Sequence, residues 1–166
     1  VIELSEMNIY ANNKPVLSGV AQKVNDIDKN AMEEAINIKD KHGGKITVLT
    51  VGPTDAKERL KELLAMGADE GIIITAPEDM DYRTTSNLLA AAIKKIGKYD
   101  LVLCGEASVD LFSGQIGPRL AGQLDIPQIT YAQKLTVEKD KLTAERNMGD
   151  TAVTSESNYP VLVTVT

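Results

Sequence analysis

The sequence is short of the residues from which reactive sites are usually built. Its 166 residues include one cysteine, Cys104, and one histidine, His42. No intramolecular disulfide can form, and the chain alone cannot assemble a Cys/His zinc site or a Cys-ligated cluster. With a single His and a single Cys there is little material for a nucleophile–base pair. Redox chemistry in this chain would have to ride on something bound to it. Trp is absent and Phe occurs once, against five Tyr, which argues against a stacking platform for single-stranded nucleic acid. Acids outnumber bases 24 to 18, so there is no basic surplus for a nucleic-acid face. No apolar run approaches the ~18 residues of a membrane-spanning helix. Val1 to Tyr10 carries neither the basic segment nor the apolar core of a signal peptide.

What is present is an alternation of helical and strand periods, of a length that suits one domain over residues 1–166. Asp28 or Asn30 is expected to cap a helix with Met32, Ala35 and Ile36 on one face, ending in Lys39, Lys41, His42 and Gly43-Gly44. Ile46 to Val51 is a β-branched run of the kind buried in a parallel sheet, broken by Gly52-Pro53. Thr54 is expected to cap a helix burying Ala56, Leu60, Leu63 and Leu64, stopped by Gly67. Gly71 to Thr75 reads as a strand and Pro77 to Asp81 as a loop. Thr84 to Ile96 reads as a helix with Leu88, Leu89, Ala92, Ile93 and Ile96 inward. Asp100 to Cys104 is the next strand. A fourth helix is expected from Ser113 or Gly114 to just before Pro127.

Gln128–Thr136, Lys141–Met148 and Val161–Val165 read as strands. Leu135, Val137, Leu142 and Ala144 alternate with polar residues around a hairpin between Lys139 and Asp150. Val16 to Val24 reads as a further strand, after a turn at Asn12-Asn13-Lys14-Pro15. The fold class is therefore α/β: a doubly wound, mainly parallel sheet with flanking helices and a C-terminal antiparallel hairpin, Rossmann-like.

Ligands of such sheets sit beyond the carboxyl ends of the strands. Those ends are Val51-Gly52-Pro53, Thr75-Ala76-Pro77 and the stretch from Cys104-Gly105 onward. The third is the most informative: Gly105-Glu106-Ala107-Ser108-Val109-Asp110-Leu111-Phe112-Ser113-Gly114-Gln115-Ile116-Gly117-Pro118. A strand stops at Gly, small residues follow, and a helix begins near Ser113-Gly114-Gln115. Backbone N–H groups at such a start suit a phosphate, and Gly105 and Gly114 permit close approach. A plain capped turn explains the same residues equally well. Neither a G-x-G-x-x-G fingerprint nor a P-loop is present. His42 reads as an exposed capping residue, and Cys104 as a small buried hydrophobe. Asp26 and Asp28 read as caps or an acid pair. Lys57, Glu58, Lys61 and Glu62 read as a solvated helix face.

Four stretches resemble the beta subunit of electron transfer flavoproteins, in the adenine-nucleotide-binding superfamily shared with universal stress proteins. They are N-D-I-D-K-N-A-M-E-E-A (Asn25 to Ala35), V-L-T-V-G-P (Val48 to Pro53), L-L-A-M-G-A-D-E-G (Leu63 to Gly71) and Asp100 to Tyr131. The last contains G-Q-I-G-P-R-L-A and I-P-Q-I-T-Y. The resemblance implies an electron carrier rather than an enzyme, without catalytic residues or a metal. It implies a heterodimer with an alpha subunit that holds most of the FAD, serving flavin dehydrogenases and a membrane quinone oxidoreductase or other acceptor. The expected setting is the cytoplasm in a prokaryote, or the mitochondrial matrix in a eukaryote.

In this family the beta subunit binds AMP, or a second FAD in its place. The implied nucleotide contacts are Asn25, Asp26, Ile27 and Asp28, then Val51, then Gly105, Glu106, Ala107, Ser108, Val109, Asp110, Ser113, Gly114, Gln115 and Ile116. Phosphate is expected over Ser113 to Ile116, with adenine and ribose near Val51 and Cys104. Three positions depart from the family's usual loop. Leu111-Phe112 replace a Gly and an acid, and Glu106 replaces a Lys, so the sequence leaves AMP and FAD both open. Against the family's usual length, the sequence also reads as lacking an opening strand of the type M-K-I-x-V-x-V-K and a C-terminal arm that wraps the alpha subunit. Two other readings stand beside this one: a stand-alone adenine-nucleotide module of the universal-stress type, and a nucleotide hydrolase or transferase.

Overall fold

The β-branched runs and amphipathic stretches fall into alternating strands and helices. The computed structural model describes residues 1–6, 8–9, 15–16, 19–77 and 80–166. The α-helices among the described residues are α1 (Asp26–His42), α2 (Ala56–Met66), α3 (Tyr82–Ile96) and α4 (Ile116–Leu124). The strands are β1 (Asn8–Ile9), β2 (Pro15–Val16), β3 (Thr47–Gly52), β4 (Glu70–Thr75), β5 (Leu101–Gly105), β6 (Gln128–Val137), β7 (Lys141–Asn147), β8 (Ala152–Asn158) and β9 (Val161–Val165).

β3 and β4 form a parallel pair. The main sheet has the order β5-β9-β6-β7-β8, parallel across β5, β9 and β6 and antiparallel beyond. Among the described residues, no strand is hydrogen-bonded to the second edge of β3 or of β5, so no ladder joins the two sheets. β9 lies between two parallel neighbours and is buried along its whole length, as suits a run that is apolar except at Thr164. Its residues alternate between two cores. Val161, Val163 and Val165 pack with Ala31 of α1, Ile129 and Ala132. Leu162 packs with Ala90 and Ile93 of α3 and with Leu120, Ala121 and Leu124 of α4. Helices thus cover both faces, which is the expected α/β layering.

Several boundaries differ from expectation. α1 begins at Asp26, because Asn25 rather than Asp28 or Asn30 stands at its N-cap. α2 starts after Asp55, and Leu64 is exposed; only Leu60 of its apolar residues is fully buried. In α3 the buried side chains are Ser86, Ala90 and Ile93, while Ile96 is exposed. Asp81 caps α3 by accepting the Thr84 N–H at 2.7 Å. The Pro77–Asp81 loop is otherwise outside the description at residues 78 and 79.

Val16 to Val24 does not form the expected strand in its described part, residues 16 and 19–24: of these Val16 lies in β2, and Gln22 makes a lone bridge to Ile2, with Glu3 N–H on Ala21 O and Lys23 N–H on Val1 O. The turn expected at Asn12 to Pro15 lies outside the described residues at 12–14. The hairpin is as expected, with Leu135 opposite Ala144 and Val137 opposite Leu142. A second turn adds β8, whose polar, largely exposed sequence gives no strand signal of its own.

β6 is irregular. Thr130 and Tyr131 together face Thr164 of β9, and Gln133 has no partner on β7. Tyr131 is left-handed, at φ +59°. For a bulky residue that conformation costs roughly 1–2 kcal/mol. It is held from several sides. The Tyr131 N–H donates to Thr164 Oγ1 at 3.1 Å, and Arg146 donates to Thr130 O at 2.6 Å and to Thr130 Oγ1 at 3.0 Å.

Candidate functional site

The carboxyl ends of β5 and β9 meet the start of α1 and the start of α4. The first contact is a clamp. The Gly105 N–H donates to Asp28 Oδ1 at 2.7 Å. Asn25 Nδ2 donates to Ala107 O at 2.9 Å and to Asp28 Oδ2 at 3.0 Å, while Asn25 Oδ1 accepts the Val109 N–H at 3.0 Å. Asn25 is 5% exposed, so these bonds are made out of water. The sequence expectation placed Gly105 where a ligand approaches. The close approach is instead to α1: a Cβ on Gly105 would lie 2.8 Å from Asp28 Oδ1 and 3.0 Å from the Ile27 carbonyl carbon. Asp26 points to Lys23, at 3.0 Å.

From Glu106 the chain forms a tight loop. The Glu106 N–H donates to Val165 O at 2.9 Å. The Leu111 N–H is taken by Asp110 Oδ1 at 2.8 Å, and the Phe112 N–H by Ser108 O at 2.9 Å. The left-handed residue is Phe112, at φ +46°, and both apolar side chains stand out in water, Leu111 at 68% and Phe112 at 63% exposure.

Gly114 follows, at φ +62°, and turns the chain into α4, with Gln115 at the N-cap. The helix therefore begins at Ile116, not at Ser113 or Gly114. The Gln115 side chain accepts from Arg119 at 3.0 and 3.1 Å instead of capping. The first-turn N–H groups of α4 are thus not covered by an N-cap side chain, and Pro118 contributes none.

Sequence reasoning missed Gly117. A Cβ there would sit 2.5 Å from Thr164 Cγ2 and 3.3 Å from Cys104 Sγ, so this glycine lets α4 start directly on the sheet. The only sequence signal for it was its place in G-Q-I-G-P.

Two titratable groups border the loop. Burial pushes the Cys104 thiol up to about 12, reinforced by the Asp28 carboxylate, so it stays protonated and unreactive at neutral pH. Glu106 is half-buried, one carboxylate oxygen has no hydrogen-bond partner, and burial holds its carboxyl above the ordinary range. His42 is the exposed last residue of α1, remote in the fold from this loop's clamp. Val51 ends β3 opposite Ile74, on the separate parallel pair. The structure thus brings Asn25 and Asp28 against Gly105, Ala107 and Val109, with Ser113 to Ile116 leading into α4. Among the described residues, no group of three or more His, Cys, Asp or Glu is placed to hold a metal ion. Among them, too, no helix is long and apolar enough to cross a membrane.

Comparison with known proteins adds the following. The electron transfer flavoprotein domain family matches residues 16–166. An electron transfer flavoprotein subunit beta of Thermoanaerobacterium thermosaccharolyticum is 46% identical over 151 residues, covering 90% of this chain and 58% of that protein. The caffeyl-CoA reductase-Etf complex subunit CarD of Acetobacterium woodii is 40% identical over 152 residues, covering 90% of this chain and 58% of that protein. Protein FixA of Sinorhizobium fredii is 36% identical over 156 residues, covering 89% and 55%. The chain therefore spans a little over half the length of these relatives.

Proposed function

The chain belongs to the electron transfer flavoprotein family, and we propose that it serves as the beta-subunit part of an electron carrier. In this reading it binds AMP, or a second FAD, and pairs with an FAD-carrying alpha subunit. Electrons would pass from flavin dehydrogenases to a quinone oxidoreductase or other acceptor. The bound flavin supplies the electron chemistry; the chain supplies the seat and a partner surface, and is not itself an enzyme. Naming of a relative as part of a caffeyl-CoA reductase complex supports a carrier that works beside an acyl-CoA reductase.

The observation that carries the nucleotide part is the clamp of Asn25 and Asp28 on Gly105, Ala107 and Val109. It fixes the loop at the strand ends, so that Gly114 delivers an N-terminal helix turn with free-facing donors. Such a turn fits a phosphate, with the helix dipole behind it. The phosphate-facing donors are the N–H groups from Gly114 to Ile116 and the Ser113 hydroxyl. Glu106, Ser108 and Asp110 frame the loop, and in this reading the base and ribose lie near Val51 and Cys104 at the strand ends. Glu106 stands where the family loop usually has a cation, and burial raises its carboxyl pKa.

Mass spectrometry of small molecules released on heating the purified protein tests this. AMP or FAD at near one per chain supports the reading. Their absence from protein purified with its alpha partner overturns it. A colourless homo-oligomer releasing ATP or AMP, with no flavoprotein partner, would favour the stand-alone nucleotide module.

A further inference from the structure

Tyr131 stands where a regular strand would have buried it. In a strand, residues two apart share a face, so Ile129, Tyr131 and Gln133 belong together. The buried residues are instead Ile129 and Ala132, three apart, and the next inward residues are Leu135 and Val137. One odd step at Tyr131 turns it out, and a second at Gln133 restores the register. The result is an aromatic ring 45% exposed in a strand that is interior to the sheet. The backbone takes a left-handed conformation that leaves the ring in water. Strain that is held this firmly marks a functional position more often than a structural one.

Its place in the fold narrows the function. Cys104 of β5 faces Thr164 of β9, and Thr164 faces the Thr130–Tyr131 bulge. At about 4.8 Å per strand, the Tyr131 backbone lies about 10 Å from Cys104, at the carboxyl ends of the parallel strands. Thr164 links it to the helix start: its methyl packs under Gly117 in the first turn of α4, and its hydroxyl takes the Tyr131 N–H. Arg146, whose hydrogen bonds run to Thr130 and Ser155 rather than to a carboxylate, locks the other flank.

We propose that Tyr131 is a nucleotide-binding residue whose ring stacks on a planar heteroaromatic ring of the cofactor seated at α4, either adenine or the flavin. The proposal rests on the nucleotide reading above and adds a contact outside the Gly105–Ile116 loop. A stacked aromatic face suits either ring, and a Tyr ring supplies it at little entropic cost.

The test is calorimetric titration of the full chain with AMP and, separately, with FAD, for the natural protein, Tyr131→Phe and Tyr131→Asn. Asn tolerates the left-handed backbone without supplying a ring. The expected result is a loss of roughly 5- to 20-fold in affinity for at least one ligand in Tyr131→Asn. Tyr131→Phe should stay within about twofold, and the melting temperature of Tyr131→Asn should be unchanged or raised. Loss confined to FAD assigns the ring to the flavin; loss for AMP as well assigns it to adenine. For FAD, flavin fluorescence quenched by the natural protein should recover in Tyr131→Asn, a signal that a merely structural residue would not move. Unchanged affinities in Tyr131→Asn, or equal losses in both variants, overturn the stacking role while leaving the nucleotide site standing. Should Tyr131→Asn melt early, Tyr131→Gly, which relieves the strain, replaces it under the same criteria. If the natural protein binds neither ligand, the nucleotide reading itself fails and this assignment falls with it.

Discussion

The Asp28 carboxylate takes the Gly105 N–H at 2.7 Å across 77 positions of sequence, and so ties the first turn of α1 to the end of β5. Asn25 completes the tie, reading the carbonyl of Ala107 and the amide of Val109 with one side chain. The loop expected to face a ligand is thereby held from behind by the protein itself.

Breaking the tie has a graded cost. Asp28→Ala strands the Gly105 N–H and should cost about 1–2 kcal/mol, and Asp28→Asn less, because it keeps an acceptor. Asn25→Asp should cost about 2–4 kcal/mol at neutral pH, more than Asn25→Ala, because it sets a carboxylate oxygen against Ala107 O and Asp28. Urea denaturation gives the ranking; an Asn25→Asp variant as stable as the natural protein would contradict the geometry.

Two glycines of α4 should respond in opposite ways. Gly117→Ala drives a methyl to 2.5 Å from Thr164 Cγ2 and should destabilise by about 1–3 kcal/mol. Gly122→Ala meets nothing within 4 Å and should stabilise by up to about 1 kcal/mol through helix propensity. Thermal melts of the two variants decide it.

Glu106 predicts a pH dependence. Its carboxyl pKa is higher in the folded chain than the ordinary 4.5, so the folded state holds more protons in the window above that value. Stability should therefore fall as pH rises through the window, and Glu106→Gln should flatten that part of the curve and stabilise at neutral pH. Chemical denaturation of both proteins between about pH 4 and 8 measures the difference. A steeper fall in the variant would be the wrong sign.

Gly114 separates charge from conformation. Asn and Asp both tolerate its left-handed backbone, and a Cβ there meets only Glu106 O, at an ordinary 3.6 Å. Gly114→Asn should keep most nucleotide, whereas Gly114→Asp should lose it, because a carboxylate would occupy the phosphate position. Mass spectrometry of released nucleotide reads both, and equal retention would move the phosphate elsewhere.

Legibility in the sequence followed the range of the forces involved. The β-branched run Val161–Val165 and the alternation of Leu135, Val137, Leu142 and Ala144 announce strands, because burial on one or two faces imprints a local period. β8 was silent because edge strands with solvent on both sides need no such period. The loop Gly105 to Ile116 was legible as a strand-to-helix turn and through its resemblance to a family. Its clamp was not, since Asn25 and Asp28 read locally as cap residues and their partners lie about 80 positions away. The left-handed Tyr131 was hidden for the same reason: Thr164 and Arg146, which impose it, are neighbours only in three dimensions.

The central position of β9 has a consequence for vectorial synthesis. β5 and β6 do not pair with each other; both pair with β9, which follows them and the other described strands in sequence. Until residues 161–165 are made, the nascent chain can form the β6-β7-β8 meander but not the row that sets Cys104, Thr164 and Tyr131 side by side. The loop at Gly105 to Ile116, though complete in sequence much earlier, gains its floor only when β9 slides between β5 and β6. The floor of that loop is therefore a product of long-range pairing, assembled only once β5, β6 and β9 have all been made.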